Sequence, residues 1–414
     1  MKLYLILLIL AGVQLLSACG ETSISASNGF STKDPLATLA FNSDVLNPEP
    51  RFASYSSQSA RASIIDPDAK KEVWGFQANN YDFAIPHSNY DGITLFSTRS
   101  VNIVTQSSNK LFEVVNFDHI AVGTSGINFA LSRKDGSQIE VIRFLGDDQW
   151  QQELIDIPWQ NIANESSIET QSSRALVSFY SEDSNTLYIF NPLDGKYQKL
   201  TASNSNSPLQ IDGVFCDGNG NIKGNDVYRT ITFDEINNLF IAGDGQGKLT
   251  QIQLGNGCHD YANSITHQLA NNEVILNINV ISNSELIVTQ YDKKLFRLDY
   301  SNSQFIVINS YESLCPLPIG SLILDTDKTL ITCLPGDKNN YEIDKPYYQV
   351  FSQSSGDVAL NICIHETFTG VGIDVNNMKL HRMLDSSLGV LQTFDLTNGA
   401  MEKNSGIFLS GLLD

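Results

Sequence analysis

The residues able to carry chemistry in this 414-residue chain are thinly spread, and their spacing limits what they can do. Of the six histidines, His87, His119, His259, His267, His365 and His381, no two fall at the i,i+4 spacing of paired metal ligands on a plausible helix. Two pairs, Asp118-His119 and His365-Glu366, join imidazole to carboxylate, the minimum for general acid–base work, although each reads more readily as a solvated loop pair. Asp217, Asn219 and Asn221, with Asp226 beyond, set oxygen side chains at near-alternate positions, the donor type that hard cations prefer. An EF-type loop would need glycine and an acid where Ile222 and Tyr228 stand, so these four residues define a looser candidate calcium site or simply a long polar loop. Gly243-Asp244-Gly245-Gln246-Gly247 has the glycines of a phosphate cradle. The strand-like run Lys248 to Leu254 follows it where a helix would be needed, which makes it a hairpin turn. Gly123-Thr124-Ser125-Gly126 lacks the spacing of a nucleophile elbow. Trp150 and Trp159 bracket a turn-rich segment containing Pro158 and offer either a stacking surface for sugar or peptide, or core. No cofactor motif emerges.

Charge narrows the partners. A formal net charge of -20 and an absence of basic runs argue against nucleic acid, whose phosphates need clustered Lys and Arg. The same surface repels anionic lipid headgroups and favours a cationic protein partner. Six cysteines are present. Beyond Cys19, the pairs Cys216–Cys258 and Cys315–Cys333 flank strand-turn units and are the expected disulfides of an oxidising compartment, leaving Cys363 over.

What must position these residues is a repeated strand and turn. Leu187 to Phe190 turns through Asn191 to Gly195 into Lys196 to Leu200, and Leu239 to Ala242 turns through Gly243 to Gly247. Leu286 to Thr289 turns at Asp292-Lys293-Lys294 into Leu295 to Tyr300, then at Ser301-Asn302-Ser303 into Phe305 to Ile308. Asn128 to Leu131, Gly370 to Asp374 and Val390 to Leu396 follow the same plan. The turns carry residues that accept positive φ, and the runs alternate, with Phe296, Leu298 and Tyr300 on one face and Arg297 and Asp299 on the other. No long segment has helical period. Short antiparallel strands over some 360 residues exceed a sandwich and suit radial repetition: an all-β propeller of six to eight four-stranded blades, with seven preferred at roughly 40 to 50 residues per blade. The apolar run Gly406 to Leu409 is expected to close the ring by pairing with an N-terminal strand near Trp74.

Thr230 to Asp234 followed by Asn237 to Gly245 resembles the repeat of NHL-type bacterial propellers. The rhythm is also loosely similar to the propeller lipoproteins of outer-membrane assembly, whose repeated Ala and Gly signature is missing here. At the N-terminus, Lys2, an apolar run from Leu3 to Leu16 and small residues precede Cys19, the order of an export signal. Leu16-Ser17-Ala18-Cys19 resembles the lipobox of bacterial lipoproteins. That resemblance implies a signal peptide over residues 1–18, lipid on the Cys19 sulfur and amino group, and, with Gly20 following, outer-membrane sorting. Residues 19–50 then read as a flexible tether and 51–414 as the propeller domain. The function these features support is an envelope-anchored binding or scaffolding module for a protein partner, without a cofactor. The alternatives are a propeller lyase or hydrolase acting on a polysaccharide or lactone-like substrate, and an accessory subunit of an outer-membrane assembly machine.

Overall fold

The computed structural model describes residues 51–408 except 98, 115–116, 124, 134–136, 159–176, 192–196, 204–206, 212–227, 235, 254–264, 271, 283, 292–293, 302–303, 313–316, 335–346, 363–367 and 385. Every regular element among these residues is a strand. They form eight antiparallel sheets in chain order. Blade 1 is β1 (Phe52–Ser56), β2 (Arg61–Asp66) and β3 (Lys71–Gln77). Blade 2 is β4 (Phe83–Pro86), β5 (Gly92–Ser97), β6 (Ser100–Thr105) and β7 (Asn109–Glu113). Blade 3 is β8 (Phe117–Val122), β9 (Phe129–Arg133), β10 (Gln138–Gly146) and β11 (Gln149–Asp156). Blade 4 is β12 (Val177–Ser181), β13 (Thr186–Phe190), β14 (Tyr197–Thr201) and β15 (Gln210–Ile211). Blade 5 is β16 (Tyr228–Asp234), β17 (Leu239–Asp244), β18 (Lys248–Gln253) and β19 (Ile265–Gln268). Blade 6 is β20 (Ile275–Val280), β21 (Glu285–Gln290), β22 (Lys294–Asp299) and β23 (Ile306–Glu312). Blade 7 is β24 (Leu317–Ile323), β25 (Lys328–Leu334), β26 (Tyr347–Ser352) and β27 (Val358–Ile362). Blade 8 is β28 (Phe368–Asp374), β29 (Lys379–Leu384), β30 (Val390–Asp395) and β31 (Met401–Ser405). The protein is an all-β, eight-bladed propeller. Eight lies within the range expected from the sequence, but the preference for seven is corrected. Blades such as Phe83–Glu113 are shorter than the repeat length assumed.

The strands form where the sequence alternates and stop where a side chain satisfies the turn. Phe296, Leu298 and Tyr300 are buried together, while Arg297 and Asp299 stay half-exposed. In the Gly243–Gly247 segment, the Asp244 Oδ1 accepts from the amides of Gln246 and Lys248, both at 2.8 Å, and Gly247 takes φ +81°. It is a hairpin turn, as its context implied. A second turn type recurs in blades 5 and 8. Asp234 accepts from the amide and side-chain nitrogen of Asn237, and Asp374 does the same with Asn377. The next residues, Asn238 and Met378, both have positive φ.

Each blade is too thin to bury its own faces, and each neighbouring pair shares a buried apolar cluster. Around the ring these clusters include Ile64 with Leu95, Phe96 with Phe129, Ile139 with Leu187, Phe190 with Phe240, Leu249 with Ile275, Ile287 with Ile331, Leu330 with Leu380, and Met383 with Phe52. Polar bonds fix the stacking. Tyr300 Oη of blade 6 donates to Asp234 of blade 5 at 2.7 Å, and Arg297 Nη1 of blade 6 donates to Gln353 of blade 7 at 2.6 Å. Burial and the neighbouring Asp234 carboxylate both push the Tyr300 hydroxyl's pKa up, so it remains a donor.

Ring closure differs from expectation. A four-stranded meander returns the chain to the face it entered from, so β4, β8, β12, β16, β20, β24 and β28 run the same way. Three strands do not, and β1 runs antiparallel to β28: Gly370 lies against Ala53 and Ser54, and Gly372 against Phe52. Ile407 and Phe408 do not extend the sheet beside Trp74. They are buried at the seam between blades 8 and 1 with Phe52, Ile65, Met383 and Leu391, their amides bonded to Gly389 O and Leu388 O. Apolar side chains there pack into the seam instead of pairing with a solvent-facing strand edge.

Two outcomes follow from the seam. A Cβ at Gly370 would drive into the Ala53 carbonyl, so Gly370→Ala should cost about 2 kcal/mol of unfolding free energy in urea titrations. His381, on β29, is 1% exposed and bonds Thr393 Oγ1 through Nδ1 at 3.0 Å. Burial pushes its pKa down from 6.5 to about 4, against the opposing pull of Asp68. The unfolded chain therefore binds this proton first, and stability drops as pH falls from about 6.5 towards 4, by about 3 kcal/mol in all. Comparing urea midpoints at pH 7.5 and 4.5 should show a smaller acid loss for His381→Gln than for the native chain.

Candidate functional site

The turns joining first to second strands stand nearest the ring axis, on the face that also carries the third-to-fourth turns. On blades 2, 3 and 4 they are tied into one polar chain. Ser88 N donates to Ser125 O at 3.0 Å, and Thr94 Oγ1 donates to Gly126 O at 3.0 Å. Glu182 of blade 4 then accepts from Ser125 N at 2.8 Å, from the Ser125 hydroxyl, and from Asn128 Nδ2 at 2.6 Å. Glu182 is held by three donors, so this carboxylate cross-links two blades.

Within this chain of bonds, Asp91, His87 and Thr94 have the order of an acid–base–nucleophile triad. His87 Nδ1 lies 3.4 Å from Asp91 Oδ1, and Nε2 lies 3.2 Å from Thr94 Oγ1. The chemistry is blocked at the hydroxyl. Thr94 is fully buried and its proton is committed to Gly126 O, so Oγ1 must accept from His87 Nε2–H. Burial pushes the His87 pKa down, with Asp91 opposing, which favours this neutral ring. The arrangement clamps blade 2 to blade 3.

Among the described side chains, the half-buried positions of the first strands form an uncharged wall; the Asp118, His119 and Arg229 side chains of β8 and β16 lie outside the described ones. These positions include Ile85, Val122, Phe179, Thr232, Asn277, Asn279 and Ile373. Asn279 Nδ2 donates to Ser321 O at 2.7 Å, so part of this wall is itself inter-blade bonding.

The rim of the same face is acidic. Its described turns carry Asp68, Asp91, Asp147, Asp148, Glu182, Asp183, Asp325, Asp327 and Asp357, against one lysine, Lys70. Lys70 itself is paired with Glu402. At the ends of the flanking strands, Asp299 is held below the usual carboxylate range by the Ser301 amide, and Asp395 by Thr397. Hydrogen bonds from Ser354 do the same for Asp327. These groups stay ionised in mild acid. On the opposite face, the described turns carry Arg99, Asp82 and Glu273.

The residues singled out from the sequence distribute as follows. Cys19, Asp217, Asn219, Asn221, Asp226, Cys216, Cys258, Cys315, Cys363, His365, Glu366 and Trp159 lie outside the described residues. The candidate calcium loop, the lipid site and both expected disulfides therefore fall there. Cys333 occupies β25, and Asp118-His119 falls in β8. Trp150 packs at the join of blades 2 and 3, its ring 5.5 Å from Phe112 and 4.9 Å from Phe144, which is the core reading. Sequence reasoning missed Glu182, Asn128 and the His87 clamp. Their partners are 54 or more residues away for Glu182 and 32 for Thr94–Gly126, and no local pattern announces them.

No family model and no curated protein matches the chain. Among solved structures it is similar to a dihydro-heme d1 dehydrogenase, NirN, in complex with DHE, at 11% identity and TM-score 0.58, covering 87% of this chain and 74% of that one. It is also similar to Saccharomyces cerevisiae Sqt1, at 10% identity and TM-score 0.53, covering 80% and 88%. At these identities the likeness is one of fold. Because Glu182 satisfies donors from another blade, Glu182→Ala should lower unfolding free energy by about 2–3 kcal/mol in chemical denaturation. Asp183→Ala, an exposed neighbour, should change it by less than about 0.5 kcal/mol.

Proposed function

We propose that this protein is a lipid-anchored binding module that presents its acid-rimmed face to a cationic envelope protein. The observation that carries the reading is the charge of this face: nine carboxylates and one lysine in its described turns. Fixed negative charge on a rigid ring steers and orients a basic partner, and the turns can vary without disturbing the blades. The commitment of Glu182, Asp234 and Glu285 to inter-element bonds supports presentation over acid–base chemistry.

Topology adds a direction. Because β1 runs opposite to the other innermost strands, the chain enters blade 1 at the acidic face, where Arg51 pairs with Asp66 at 3.2 Å. A tether over residues 19–50 would reach roughly 30 Å as a flexible coil. Lipid on Cys19 then holds the acidic face towards the membrane, and repulsion from anionic headgroups leaves a layer in which a basic partner fits. In enteric-type hosts Gly20 directs the lipidated chain to the outer membrane, and the partner is an envelope protein there, an assembly-machine barrel included.

Two measurements test this. Cys19→Ser should move the protein from the membrane to the soluble fraction on cell fractionation; retention on the membrane would refute the anchor. Replacing Asp147, Asp148, Asp183, Asp325 and Asp357 by Asn should reduce mild-detergent co-purification of partner by at least about tenfold, with the melting temperature nearly unchanged. Undiminished co-purification would refute the acidic face as the docking surface.

A further inference from the structure

We propose that the cleft between β3 and the β6–β7 turn is a binding site for a neutral oligosaccharide. A cavity of about 350 Å³ opens there, at the join of blades 1 and 2, a volume at the small end of ligand sites. β3 is the outermost described strand of blade 1, whereas each of the other seven sheets has a fourth strand outside its third. The outer part of blade 2 therefore has no described strand opposite it. The site stands apart from the acidic docking face in its chemistry, because no residue lining it is ionisable.

One wall is aromatic. Trp74 and Phe76 are two residues apart on β3, so both point towards blade 2, where they pack half-buried against a core that includes Ile64 and Leu95. Gly75 points the other way, towards Arg61 and Glu72, whose ion pair at 2.7 Å holds the back of the strand. The other wall is polar. Gln106, Ser107, Ser108 and Asn109 are exposed on a turn in which Thr105 Oγ1 accepts from the Ser107 and Ser108 amides at 3.3 and 3.0 Å. Among the described residues, the Trp74 indole N–H and the Gln106 and Asn109 side-chain amides have no hydrogen-bond partner. A sugar ring matches both walls. Its C–H face lies on an aromatic ring, and its hydroxyls, each donor and acceptor, pair with side-chain amides and hydroxyls. A phosphate or carboxylate ligand would want a cation that the lining lacks. A proline-rich peptide would use the aromatic pair and leave the amides idle.

Titration calorimetry of the full chain with maltotetraose, cellotetraose and N-acetylchitotetraose tests the site. At least one should bind, with the same affinity at low and high salt, because no charge lines the cleft. Trp74→Ala should weaken that binding by at least about tenfold through loss of the stacked ring. Gln106→Ala with Asn109→Ala, on an exposed turn, should weaken it by about tenfold as well, with the melting temperature unchanged. This double variant keeps the test valid if the tryptophan variant does not fold. Asp147→Asn with Asp148→Asn, on the acidic rim, should leave sugar binding intact, so this proposal and the docking reading fail separately. Binding of none of the three sugars, or binding undiminished in the double variant, would overturn the inference. So would capture of a polyproline peptide in their place, or sugar binding only after deletion of residues 20–50, which would assign the cleft to the chain itself.

Discussion

Face-to-face burial between neighbouring sheets is the constraint from which the rest follows. A blade such as Thr186–Phe190 with its partners has apolar side chains on both faces, and neither face can be covered from within the sheet. Only a neighbour on each side removes both from water, and only a closed ring gives every blade two neighbours. The eight shared clusters meet that demand. Polar groups at the same boundaries, such as Tyr300 with Asp234 and Asn279 with Ser321, set the relative height and angle of the blades.

That arrangement divides the molecule's chemistry by position. Charged side chains at blade boundaries are consumed in structural pairs: Arg61 holds Glu72 at 2.7 Å, Arg143 holds Glu153 at 2.8 Å, and Arg297 holds Glu285 at 2.6 Å. Among the described residues, the half-buried side chains of the innermost strands are uncharged. What remains for recognition is the turns, and those of one face hold most of the described turn carboxylates. Because the blades share one direction, acidic turns of separate blades collect on the same face.

Much of the fold was legible because its cause is local. Alternation in Phe296–Tyr300, and Asp244 or Asp234 beside Gly and Asn, act within a few residues and survive in any context. The recurrence of the Asp234–Asn237 turn at Asp374–Asn377 is equally local, and sequence analysis passed over it. Blade number was not available, because it depends on where a meander stops. Blade 1 has three described strands, and the sequence separations from β11 to β12 and from β15 to β16 stretch the apparent repeat. Gly243 and Gly370 also read as ordinary strand glycines in sequence. The structure shows each facing an adjacent blade too closely for a Cβ, against Ile275 and Ala53 respectively.

By itself the sequence determined an acidic all-β ring with its turns in place, since hydrophobic alternation and turn chemistry operate at short range. Tertiary structure alone decided that there are eight blades, that His87 and Thr94 form a clamp, and that nine described turn carboxylates from separate blades meet on one face. Each of these depends on which distant segments meet, and packing of complete sheets, which no short window of sequence encodes, settles that.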